Sequence, residues 1–373
     1  MTETPLHGLL LGLIAERGPL PFPIYQDLAL YHPEAGYYSA GPERSGRRGD
    51  FVTSPELDPA FGALWARGFE QVWRAAGEPD DFTIVEVGPG EGGFAQAVLD
   101  AVHGEFAETL TYRLVERLPA LTERQMAGLS AFDCTVWSAS VEELEPGEAG
   151  VVFANEVLDN LPVHVIEGTS SEPVELYVSA HGESLTFEGG PVSDPRILET
   201  LERDAISLGP GTRYEVGLEA ERFAAASARA VGSGAVLLVD YGAPANELAQ
   251  RANGTLAAYS SGLADDRVLS RPGERDITSH ANWTVVAAAL SAEGCSVHGP
   301  LRQREVLRNL GIDDLHEELR SSHHDALRVG NGAAAVRALS RRQALGALAD
   351  PNGLGGLGVL AALHGIERPD FLA

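Results

Sequence analysis

The chain has 373 residues, with 27 basic against 54 acidic side chains and a formal net charge of −27 at pH 7. A field of that sign repels phosphate backbones and excludes nucleic-acid binding through a general basic surface, while it suits a cationic partner such as an arginine-bearing protein segment. All 27 basic residues are arginine, which excludes a Walker lysine, a Schiff-base lysine and pyridoxal-phosphate attachment.

Two cysteines, Cys134 and Cys295, make neither a disulfide framework nor a metal site and imply a reducing compartment, read here as the cytoplasm. The apolar run Leu9-Leu10-Leu11 has no basic region before it and no cleavage pattern after it. It is also too short to span a bilayer, so neither a targeting segment nor a membrane role is expected.

Residues 6–17 have helical apolar spacing and stop at Gly18-Pro19, and a second helix is expected over 24–31. The span 40–50 reads as a mobile loop. Thr53 and Ser54 suit helix capping or hydroxyl contact with a ligand, and a helix is expected from after Pro59 to about Ala76.

From residue 82 strands and helices alternate, predicting a parallel sheet with helices on both faces. Strands are expected at 82–87, 111–116, 133–137, 150–154 and 235–240, with helices at 92–103, 119–129 and 218–231. The alternation breaks at 163–190, where two or three antiparallel strands are expected, followed by a helix at 194–207. The span 163–211 reads as an insertion on the sheet's edge. Segment 243–278 shows little regular pattern. A helix at 281–292 and a strand near 295–299 follow, and the tail from 313 to 373 is expected to be helical.

The cofactor signal sits at Glu86-Val87-Gly88-Pro89-Gly90-Glu91-Gly92-Gly93. Gly88, Gly90 and Gly93 satisfy a dinucleotide fingerprint. Glu86, Gly88, Gly90 and Gly92 equally satisfy the acid-x-Gly-x-Gly-x-Gly turn of S-adenosylmethionine (SAM) enzymes. Either way the turn admits close backbone approach and the following helix offers free N–H groups. Glu116, ending the second strand, suits a ribose diol. Glu86 separates the two readings, because an acid two residues before the turn suits the cationic amino-acid end of SAM, where a dinucleotide would place a phosphate. Further acids and amides end later strands at Asn155-Glu156 and Asp240-Tyr241.

These motifs are joined by Tyr31-His32-Pro33-Glu34-Ala35-Gly36-Tyr37-Tyr38, Gly49-Asp50-Phe51-Val52-Thr53-Ser54-Pro55-Glu56, Asn155-Glu156-Val157-Leu158-Asp159-Asn160-Leu161-Pro162, Val239-Asp240-Tyr241-Gly242 and Asp276-Ile277-Thr278-Ser279-His280. In this order they resemble the MidA family of SAM-dependent methyltransferases, which includes a mitochondrial respiratory complex I assembly factor that methylates protein arginine.

The resemblance implies an α/β fold: a class I SAM-methyltransferase (Rossmann-like) core with helical N- and C-terminal additions and an antiparallel β insertion. The expected division is an N-terminal lobe and cofactor-covering segment over 1–78, the core over 79–163 and 212–312, the insertion over 164–211 and the tail over 313–373. It also implies that Gly49–Glu56 folds over the cofactor and that Ser140 and Val141 lie near the adenine. Four departures stand out: Glu91 replaces a basic residue, Gly93 a hydroxyl, 254–261 lacks the usual Arg and His, and His280-Ala281-Asn282 stands for His-Val-Asp.

The expected cofactor set is thus Thr53, Ser54, Glu86, Gly88, Gly90, Gly92, Glu116, Ser140, Val141 and Asn155. For a guanidinium acceptor, Glu156 and Asp159 at helical spacing would hold the cation on one face. His280 is the candidate base. The expected function is SAM-dependent methylation of a protein side chain, arginine by resemblance. A non-catalytic SAM-fold assembly protein and an NAD-dependent oxidoreductase are the alternatives, and a homodimer is left open.

Overall fold

The computed structural model describes residues 4–40, 53–260 and 262–373. The expected loop at 40–50 therefore lies almost wholly outside the described residues, as does the Gly49–Val52 part of the cofactor-covering segment. The chain forms two compact bodies, each assembled from three segments.

The first body comprises residues 52–155, 226–239 and 293–373. Its sheet holds seven strands: β1 (Phe82–Val87), β2 (Leu110–Val115), β3 (Thr135–Ser138), β4 (Ala149–Asn155), β5 (Val231–Asp240), β6 (Ser296–Arg302) and β7 (Gly358–His364). The order is β6-β7-β5-β4-β1-β2-β3. Strands β1 to β5 pair in parallel and β6 runs antiparallel to β7. β4 is a continuous buried run, as a strand covered on both faces must be. β5 passes so close to β4 that a Cβ on Gly234 would stand 1.8 Å from the Gly150 carbonyl oxygen.

Helix α1 (Ala60–Ala75) buries Phe61, Leu64, Trp65, Phe69 and Val72, the apolar stripe its spacing predicts. Helix α2 (Gly93–Ala101) adds Phe94, whose ring stacks 4.7 Å from Phe153 of β4. Gly62 lets the two helices close, since a Cβ there would stand 2.6 Å from that of Ala97. This aromatic core seats the strand ends.

The expected helical tail is corrected here. Helices Ile312–Arg328 and Gly332–Leu348 form, but Gly358–His364 is a strand lying between β6 and β5. Its residues Val359–Leu363 are uniformly apolar and buried, a pattern that a helix and a doubly covered strand share over a short run.

The second body comprises residues 1–51, 156–225 and 240–292. Helices Pro5–Arg17 and Phe22–Tyr31 form as expected. The expected insertion is instead a separate five-stranded sheet of Leu20–Pro21, His164–Glu167, Val174–His181, Ser184–Gly190 and Arg213–Val216, so it recruits residues from outside 164–211. The segment read as patternless, 243–278, contains the strands Ala257–Ser260, Leu263–Asp265 and Asp276–Thr278, which pair antiparallel. Such strands are too short for a period of two to show.

Candidate active site

After β1 the backbone turns through Gly88, Gly90 and Gly92 with φ of +66°, +55° and +83°. These left-handed values are where L side chains are strained. A Cβ on Gly90 would meet nothing within 4 Å, so the turn presents an open face. Helix α2 follows at Gly93, one residue later than expected, and offers its N-terminal N–H groups.

Glu91 pairs with Arg124 of helix α3 (Pro119–Gly128), Arg124 Nε and Nη2 lying 3.0 and 3.2 Å from its carboxylate oxygens. The same helix carries the residue that sequence reasoning missed. Buried Gln125 donates through Nε2 to the Gly90 carbonyl (2.8 Å) and to Glu116 Oε2 (3.3 Å), and its Oε1 accepts from Trp137 Nε1 (3.1 Å). One carboxamide thus ties the glycine turn to the ends of β2 and β3. Its only signal in sequence is a polar residue on a helix face otherwise marked by Leu121 and Leu129.

Glu116 also accepts from the Leu118 N–H at 2.9 Å, and burial pushes its carboxyl upward against these donors. A carboxylate offers about four acceptor positions, so capacity remains for a diol. Ser140 caps the short turn Val141–Glu143 and Val141 is buried. Asn155 closes β4. Ser54 is buried and accepts from Gln303 Nε2 at 3.1 Å, while the Thr53 N–H donates to Glu56 at 3.0 Å, so capping and anchoring are their observed contacts.

Glu86 is placed differently from expectation. Its carboxyl accepts from the Tyr112 hydroxyl at 2.8 Å and is buried on the face of β1 that carries Ile84. Burial raises its pKa to about 8, with the Tyr112 bond opposing. A carboxyl raised in the folded state binds more protons there than in the unfolded chain between about pH 4.5 and 8. Its contribution to stability is therefore present at low pH and lost as pH rises through that window. Glu86→Gln is expected to unfold at a higher denaturant concentration than wild type at pH 8.5 and at nearly the same one at pH 5. Denaturant titrations at the two pH values check this.

In the second body, the residue after Asn155 is Glu156, with φ of +54°. A one-turn 3-10 helix, Leu158–Asn160, follows. The expectation that Glu156 and Asp159 share a helix face is therefore wrong, because Glu156 stands outside the helix in a left-handed conformation. Asp159 is buried beside Asp240, Asp276 and Glu156, and its Oδ1 has no hydrogen bond among the described residues. Burial first, and then these three acids, hold its pKa well above the usual carboxylate range.

Tyr38 donates to Asn160 Oδ1 (3.0 Å) and Asp276 Oδ1 (3.1 Å), and Asn160 Nδ2 donates to Asp276 Oδ1 at 3.0 Å. Tyr241 and Tyr259 have their phenols pushed upward by burial and by the field of Asp159. His280 is turned away from this role. Arg251 Nη1 donates to its Nδ1 at 3.3 Å, which places the neutral ring's proton on Nε2. Burial, aided by Arg251, drops its pKa to about 4, too weak for a base working near neutrality.

A mixed sheet of order β6-β7-β5-β4-β1-β2-β3, with β1 to β5 parallel, a left-handed glycine turn after its first strand and an acid ending its second, defines a class I SAM-dependent methyltransferase. The cradle fits that cofactor on its own geometry: an open turn that any side chain would fill, a helix N-terminus and a carboxylate with spare acceptors.

The chain belongs to the MidA family of S-adenosyl-L-methionine-dependent methyltransferases, whose model matches residues 64–301. It is 28% identical over 342 residues to the zebrafish (Danio rerio) mitochondrial protein arginine methyltransferase NDUFAF7, covering 84% of this chain and 78% of that one. The human relative of that name is 27% identical, with 83% and 74% covered. A crystal structure from Burkholderia thailandensis, bound to S-adenosyl-homocysteine, is 29% identical with a TM-score of 0.86 and covers 98% of this chain and 94% of that one.

Proposed function

We propose that the enzyme transfers the methyl group of SAM to the guanidinium of an arginine in a protein. The observation that carries this reading is the Asp159 carboxyl, buried among acids and tyrosines, with no hydrogen-bond partner for its Oδ1 among the described residues. A buried acid in such company is costly unless a cation arrives. The arginine methyltransferases among the relatives support the same reading.

SAM supplies a methyl group on a sulfonium, an electrophile that needs no metal. This chain's residues have three tasks. The glycine turn, Glu116 and the N-terminus of α2 hold the cofactor. Glu156 and Asp159 receive the guanidinium through their carboxylates. As the N–C bond forms, the C–S bond breaks with its pair left on sulfur. The proton then shed by the methylated nitrogen passes to Asp159, whose carboxyl is raised well above its usual range and so suits it to accept. Acids that stabilise a cation suppress the nucleophilicity of a lysine ammonium, which must lose its proton before attack. The compartment is read as cytoplasmic from the two free cysteines.

The test incubates the enzyme and labelled SAM with two peptide libraries, one whose only basic nucleophile is arginine and one with lysine in its place. Label recovered as methylarginine from the first library alone is expected. Label in methyllysine, or in neither library, overturns the assignment.

A further inference from the structure

Asp240 is the last residue of β5 and is fully buried. Its Oδ2 accepts from three successive backbone N–H groups, Val157 at 3.1 Å, Leu158 at 2.8 Å and Asp159 at 3.2 Å. Its Oδ1 accepts from the Tyr241 N–H at 2.7 Å. Three consecutive N–H groups converging on one oxygen form an anion-binding nest, which requires a left-handed residue next to a right-handed one. Glu156, at φ +54°, supplies the left-handed residue. A non-glycine residue there is strained, and persists only where its surroundings over-determine it. The Asp240 carboxylate is what over-determines it.

We propose that Asp240 is a positioning residue for the acceptor half of the reaction, its carboxylate filling the nest and so fixing where Glu156 and Asp159 present theirs. This rests on the reading that those two acids receive the acceptor. The geometry also dictates what a neutral substitute does. Both Asp240 oxygens face donors, so an asparagine must turn its NH2 against either the nest or the Tyr241 N–H, whichever way it flips. The loop then shifts or loses contacts, although the side-chain volume is unchanged.

Asp240→Asn is therefore expected to lower kcat/KM for an arginine peptide by ~30–100-fold, chiefly through KM. S-adenosylhomocysteine affinity by calorimetry should stay within about twofold of wild type. A merely structural role would lower both together through loss of folded protein. A folded Asp240→Asn variant with peptide kinetics within about twofold of wild type overturns the proposal. So does an equal loss of cofactor affinity.

Glu156→Gln and Asp159→Asn, run beside it, separate the two levels: if they too transfer normally, the acceptor reading itself has failed. If Asp240→Asn does not fold, hydrogen exchange on the wild-type chain decides. Amides of Val157, Leu158 and Asp159 slowed by ~100-fold or more against the free chain support the nest, and exchange at the free-chain rate overturns it.

Discussion

Glu156→Gln is expected to lower methyl transfer by at least ~100-fold while cofactor affinity stays within about twofold. The exchange of one oxygen for NH2 keeps shape and volume, so packing is not disturbed. What changes is the field at the acceptor. A guanidinium is a planar fork of donors that matches carboxylates and cannot pair with an amide NH2.

Asp159→Asn is expected to act in the same direction and to raise the acceptor KM further, because Asp159 is the buried member and its Oδ1 has no hydrogen-bond partner among the described residues to compensate. Steady-state kinetics with labelled SAM, together with calorimetry on S-adenosylhomocysteine, check both. Unchanged turnover in Glu156→Gln would remove the acid pair from the mechanism.

Gly90→Val is expected to abolish measurable SAM binding, a loss of at least ~100-fold, with transfer falling in step. Two causes act together. The backbone at Gly90 has φ of +55°, which a β-branched residue adopts only at a cost. The added side chain also projects into the open face of the turn, where a Cβ meets no protein atom within 4 Å and a bound cofactor would lie. Because that space is empty of protein, the fold should survive, and circular dichroism should match wild type. Calorimetry showing wild-type affinity would detach the turn from cofactor binding.

The core was legible where one element has one period. The apolar strand 150–154, the stripe along Phe61, Leu64, Trp65 and Phe69, and the Gly88–Gly92 turn each carry a local signal strong enough to place them. Gly358–His364 did not, because a short apolar run reads alike as buried helix and buried strand, and only its pairing with β6 decides. For the candidate site residues, the sequence suggested side-chain types, and what it did not carry is the direction in which each side chain points.

Glu86 was named for its charge, but the parity of β1 turns it inward to Tyr112. His280 was named for its usual pKa, and the side chain of Arg251, twenty-nine positions away, sets its proton. Gln125 and Asp240 act through hydrogen bonds to backbone distant in sequence, which no spacing rule reports.

The interleaving of the two bodies has a consequence for how such an enzyme changes. Each body is drawn from three separate stretches of the chain. No contiguous segment of the gene encodes the body carrying Glu156 and Asp159, so recombination cannot exchange it as a cassette while keeping the glycine turn. New acceptors must be reached one residue at a time.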